Sequence, residues 1–127
     1  MQHSTGKPTK AEAKRIEDMM RLGCAACASL DLFCPADECH HLISGNKRLG
    51  HNYTIPLCRG HHRGLWRWGQ QDCIPAQKLV SISSGGHRWN AAYPTEKELW
   101  ERVQIRLHLP LDWPQSKLLP RRLEIVT

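Results

Sequence analysis

The sequence predicts a small α+β domain in which helices flank a strand–loop–strand–helix unit and a bound metal supplies part of the stability. Three observations lead there. The chain has 127 residues, enough for one domain with a modest core, and only 6% of them are aromatic, Trp accounting for five. Helical periodicity appears near both ends of residues 8–109, whereas the middle is short, β-branched and punctuated by Gly and Pro. Cysteine and histidine gather in three clusters: Cys24-Ala25-Ala26-Cys27, Cys39-His40-His41 and Cys58-Arg59-Gly60-His61-His62. Thiolates and imidazoles at such spacings suit a transition metal, and a thin core benefits from one.

The elements follow in order. Residues 1–7 lack periodicity and are expected to be disordered. Pro8–Leu22 reads as a helix opened by Pro8 or Thr9, with Ala13, Ile16, Met19 and Met20 on one face and Gly23 as its stop. Lys10, Lys14, Arg15 and Arg21 mix with acids on the other face, which reads as solvated. A short strand is expected within residues 37–43, a loop over 44–50, and a second strand at Tyr53–Leu57, where Pro56 implies an edge. A helix from Arg59 to about Gln71 follows, weakened by Gly60, Gly64 and Gly69. Residues 72–93 are poorly periodic, with a loop at residues 83–86. Thr95 opens a clearer helix: Thr95 and Glu98 make a capping-box pattern, and Leu99, Val103 and Leu107 share a face. Residues 110–127 carry Pro110, Pro114 and Pro120 and read as an extended tail beyond a domain at 8–109.

No apolar run approaches the ~18 residues a membrane helix needs. The N-terminus lacks a signal-peptide core, so the expected compartment is the cytosol, where thiols stay reduced. The six cysteines then read as metal ligands before disulfides. A formal charge of +6 is compatible with a polyanionic partner without requiring one.

Cys24 and Cys27 form a knuckle that can offer two thiolates to one ion, and Cys58 and His61 repeat the spacing. Together they make a tetrahedral structural Zn2+ site coupled to folding. Cys24, Cys27, Cys34 and Cys39 form an alternative all-thiolate set, but the first arrangement also accounts for Cys58. Cys73 reads as a small buried hydrophobe.

That zinc site leaves His40, His41, His51 and His62 within one 23-residue span. Phosphodiester hydrolysis needs a base for water, a cation at the phosphate and leaving oxygen, and groups that hold the phosphate. His41 suits the base, because imidazole titrates near neutrality. His40 and His62 suit a catalytic divalent ion, with coordination positions left for water and phosphate. Neighbours in a regular strand face opposite ways, so His40 and His41 serve one site only if the strand ends or twists there. Lys47, Arg48, Arg59 and Arg63 adjoin the cluster as candidate DNA phosphate contacts. Trp66 and Trp68 are candidates for base stacking, with core packing the better reading for at least one.

Paired histidines, a hairpin loop and a Leu-Cys-x2-His-His helix start resemble the HNH, or ββα-metal, nucleases. More narrowly, Cys39-His40-His41-Leu42, Gly45, His51 and Thr54-Ile55-Pro56-Leu57-Cys58-Arg59-Gly60-His61-His62-Arg63-Gly64 resemble the phage recombination-enhancement nucleases and their prophage relatives. Gly86–Leu99 is similar to the segment that follows there, and the resemblance spans roughly residues 24–107. It implies a zinc-stabilised ββα-metal core and a DNA endonuclease that uses Mg2+, Mn2+ or Zn2+. By resemblance alone, a RecA-type recombinase filament is a partner. His40 matches the family's tandem metal ligand, His41 its general base and His62 its last metal ligand. The family's second-strand Asn position falls on Tyr53, leaving His51 or Asn52 to serve. The reading from another class is a zinc-stabilised nucleic-acid binding module without catalysis.

Overall fold

The computed structural model describes residues 6–44 and 46–114. Most of the expected disordered N-terminus, Gly45, and the tail beyond Pro114 lie outside the described residues. The described residues form a small α+β domain of six helices and two small sheets.

Helix α1 (Lys10–Arg21) begins at Thr9, whose side chain accepts from Glu12 N while the Glu12 side chain accepts from Thr9 N. Its buried stripe contains Met19 but also Arg15, a correction to the solvated face expected there. Ala13, expected on the apolar face, is exposed instead. Arg15 is drawn in by acceptors from distant segments. Its Nε donates to Gln104 Oε1 at 2.8 Å, one terminal nitrogen to Thr54 Oγ1 at 2.8 Å and the other to Thr54 O at 3.2 Å. Sequence periodicity cannot anticipate such a long-range network. Gly23 then turns the chain at φ +86°, where a Cβ would lie 2.8 Å from Cys34 O.

After the short α2 (Ala25–Ala28), strand β1 (Glu38–His41) pairs antiparallel with β4 (Thr54–Leu57). The register sets Glu38 opposite Leu57, Cys39 opposite Pro56, His40 opposite Ile55 and His41 opposite Thr54. The expected loop over 44–50 instead contains a small ladder, β2 (Ile43–Ser44) with β3 (Lys47–Arg48), turning where Asn46 adopts φ +67°.

Helix α3 (Arg59–Arg63) follows β4 directly and is much shorter than the expected helix to Gln71. Gly64 ends it by adopting φ +80°, its N–H bonding Gly60 O at 2.8 Å. A separate α4 (Gln70–Cys73) buries Gln70, and Ile74 beyond it is buried too. Positions four apart share a helix face, so Cys73 points outward and is exposed, correcting its expected burial. Two 3-10 turns then lead to α5 (Gly86–Ala92), which the sequence reading left unassigned. Only Trp89 of that helix is buried, so it has no periodic stripe to detect.

Helix α6 (Glu96–Arg106) starts at Thr95 with the expected capping box. It buries Leu99, Trp100, Val103 and Gln104 against a core that includes Met19, Ile55, Leu57 and Trp89. Trp113, within the expected extended tail, packs at the edge of this core, its ring 5.2 Å from that of Trp100.

Candidate metal and reaction centres

Two groups of side chains meet around β1, β4 and α3. The first is closed. Cys24 caps α2, Cys27 lies within it, Cys58 caps α3 and His61 sits on its first turn; all four are buried. Their ligand atoms lie within 4.8 Å of one another, the only such set of three or more among the described residues. His61 Nδ1 stands 3.5, 3.5 and 3.4 Å from the sulfurs of Cys24, Cys27 and Cys58. A tetrahedral zinc ion with Zn–S about 2.3 Å and Zn–N about 2.0 Å sets a nitrogen–sulfur edge of about 3.5 Å. The donors therefore fit a structural metal such as zinc.

The surroundings fit as well. Tyr93 donates its hydroxyl to Lys78 O at 2.6 Å, so it accepts from His61 Nε2–H at 2.6 Å. That leaves Nδ1 as the lone-pair nitrogen facing the sulfurs. Gln70 Nε2 donates to Cys58 Sγ at 3.3 Å. The thiols oppose one another's ionisation. Hydrogen bonds with Cys24 and Cys58, and burial, push Cys27 far up, while hydrogen bonds from Cys24 and Cys27 pull Cys58 down. A divalent cation removes that conflict by favouring three thiolates together. The alternative all-thiolate set is not assembled: Cys34 lies beside Gln70, and Cys39 stands in β1 opposite Pro56.

Gly60 shows how tightly this region is built. A Cβ there would come within 2.0 Å of the Trp66 ring, whose centroid is 5.0 Å from that of His61. Trp66 is thus packing, whereas Trp68 is fully exposed.

The second group is open to solvent. Alternation along β1 separates Glu38 and His40 from Cys39 and His41. The His40 and His62 rings stand 5.1 Å apart, edge to face. His40 Nε2 contacts Glu96 Oε1 at 3.2 Å, and His62 Nδ1 hydrogen-bonds Glu38 Oε1. Arg63 donates to both oxygens of Glu38, and those bonds with that of His62 hold its carboxyl below the usual range. Sequence reading missed both carboxylates. Glu38 was accessible as the residue two before His40 on one strand face, whereas Glu96 arrives from a helix 56 residues away.

His41 lies at the last position of β1 and takes a different partner. Its Nε2 is 3.1 Å from His51 Nδ1, and His51 Nε2 is 2.8 Å from Gly6 O. A carbonyl only accepts, so Nε2 of His51 carries a proton, and in that tautomer its Nδ1 accepts. His41 must then donate from Nε2, leaving its lone pair on Nδ1. Burial, with Arg48 and the neighbouring histidines, lowers the His41 pKa to about 4, so the ring is neutral at pH 7 but titrates well below the near-neutral range expected of it, which makes it a weaker base. Asn52 does not join this group; its side chain is exposed while its carbonyl accepts from Trp100 Nε1 at 2.9 Å.

Lys47 and Arg48 are exposed on β3, and Arg59 is exposed at the start of α3. Arg63 is exposed but bound to Glu38. Among the described residues, no helix is long and apolar enough to cross a membrane.

The family model described as recombination enhancement, RecA-dependent nuclease matches residues 8–107. No curated protein matches the chain.

Proposed function

The chain belongs to the recombination enhancement, RecA-dependent nuclease family, and from that premise we propose that it is a metal-dependent DNA endonuclease of the HNH, ββα-metal type. The observation that carries this reading is the division of the tandem histidines: His40 beside His62 and carboxylates, His41 neutral and held by His51. Cys24, Cys27, Cys58 and His61 hold the structural zinc. His40 and His62 hold the catalytic cation, with His62 offering Nε2 because Nδ1 faces Glu38. Their rings stand 5.1 Å apart, edge to face, on neighbouring elements. A divalent ion there supplies electrostatic stabilisation to the phosphate and the departing oxygen.

His41 accepts the proton of the attacking water at Nδ1, and His51 fixes the tautomer that exposes that lone pair. In-line displacement places attacking and leaving oxygens on opposite sides of phosphorus. A base and a cation on side chains diverging from one strand end suit that requirement. Lys47, Arg48 and Arg59 contact phosphates, and Trp68 offers an unpaired base a stacking face. DNA is the substrate, and a RecA-type filament that has paired it is the partner. Phage or prophage recombination is the proposed setting.

Cleavage of supercoiled plasmid and of DNA paired by a recombinase filament, with Mg2+ or Mn2+, tests the reading. Wild type should cut, and His41→Ala should lose about 10²–10⁴-fold in rate. If wild type and His41→Ala are equally inert on every substrate and metal while still binding DNA, the catalytic reading fails and a binding module remains.

A further inference from the structure

We propose that Glu96 is a ligand of the reaction-centre cation, so that helix α6 takes part in the site beside β1 and α3. This rests on the reading of His40 and His62 as cation ligands. His40 Nε2 and Glu96 Oε1 lie 3.2 Å apart, with the histidine side chain 17% exposed and the glutamate 37%. Two donors each about 2.1 Å from one cation lie about 3.0 Å apart at a right angle and about 3.4 Å apart at the tetrahedral angle. The observed spacing falls between these. The His40–Glu96 pair is therefore spaced for two adjacent coordination positions, whereas His62 does not close with them into a set of three donors in the structure, so cation binding requires its ring to move toward the pair.

The carboxylate also answers a chemical need. Two neutral imidazoles alone bring no charge to a divalent ion, and imidazole pairs favour zinc over harder cations. An anionic oxygen shifts the site toward Mg2+ and Mn2+, which take few protein ligands and keep room for water and phosphate. Glu38 is poorly placed for that task, since Arg63 and His62 already occupy its oxygens. Glu38 instead orients His62. Among the described residues, the Glu96 side chain hydrogen-bonds His40, and the cap of α6 belongs to Thr95 and Glu98, so changing Glu96 leaves that cap in place.

Mn2+ binding to the full-length, zinc-loaded chain, followed by electron paramagnetic resonance and calorimetry, tests this without reference to turnover. The buried thiolate site retains zinc, because thiolates select it over Mn2+. Wild type should bind Mn2+ beyond its zinc equivalent. Glu96→Gln, which keeps a carbonyl oxygen beside His40 but removes the charge, should weaken Mn2+ at least tenfold with zinc content unchanged. Glu101→Gln, the same charge change further along α6, should bind as wild type. If Glu96→Gln binds Mn2+ as wild type while His40→Ala does not, Glu96 is only a hydrogen-bond partner and the proposal is overturned with the cation reading intact. Equal weakening by Glu96→Gln and Glu101→Gln overturns it in favour of a general charge effect. No Mn2+ uptake by wild type overturns both this assignment and the His40–His62 cation.

Discussion

His61 and His62 are adjacent on one short helix, yet their environments are opposites. His61 is buried among three sulfurs, with its second nitrogen committed to Tyr93. His62 is a quarter exposed, with one nitrogen on Glu38. The contrast is between a closed donor set, which suits permanent structural metal, and an open one, which suits exchange with solvent and substrate. In the first region every donor already has its geometry. In the second, carboxylates and histidines hold one another in place.

The largest expected effect tests the closed region. Cys58→Ser removes a buried donor from a set in which zinc would contribute about 10–16 kcal/mol, as in small zinc folds, as much as a whole domain's stability. The variant should lose its zinc and its cooperative thermal transition, read by metal content and circular dichroism. If it keeps a wild-type melting temperature without zinc, the two regions do not differ as described.

Gly60→Ala comes next. The added methyl meets the Trp66 ring that packs on His61, and overpacking of this kind costs about 1–3 kcal/mol. The melting temperature should fall while zinc stoichiometry holds, because the methyl strains packing without removing a ligand.

A pH series sharpens the open region. The folded pKa of His41, about 4, lies below the ordinary value of 6.5, so folding favours the neutral ring. Its contribution is fully present above about pH 6.5 and is lost as pH falls toward 4. His41→Asn should flatten the stability profile across that window, as denaturant titrations would reveal. An unchanged profile would mean that His41 is no more buried than a surface histidine.

The smallest effect concerns the basic rim. Arg48→Ala should lower the slope of log affinity against log salt for DNA by about 1, the signature of one lost phosphate contact. It should leave zinc content and melting temperature unchanged, separating the open region's substrate contacts from the closed region's stability.

Local chemistry was legible in the sequence. The caps at Thr9 and Thr95, the two strands and the Cys24–Cys27–Cys58–His61 set follow from spacing and composition. What was not legible depends on distant partners. Arg15 looks like a surface residue until Thr54 and Gln104 are brought to it. Glu96 looks like an ordinary first-turn acid until α6 is set against β1. The break in the expected long helix is partly legible, since Gly64 readily adopts the positive φ that ends a helix. His41 and His51 were both picked as site residues, but the hydrogen-bond order through Gly6 required the fold.

The neighbouring placement of His61 and His62 also limits how the gene for this chain can drift. Each residue of an α-helix turns the next by about 100°. One codon inserted between His61 and His62 would therefore swing one imidazole out of its centre, however conservative the inserted residue. Substitutions in this stretch change one centre at a time, but a change of length disconnects one centre from the other. Variation in reading length should accordingly accumulate in the loop between the two main strands and spare the first turn of α3.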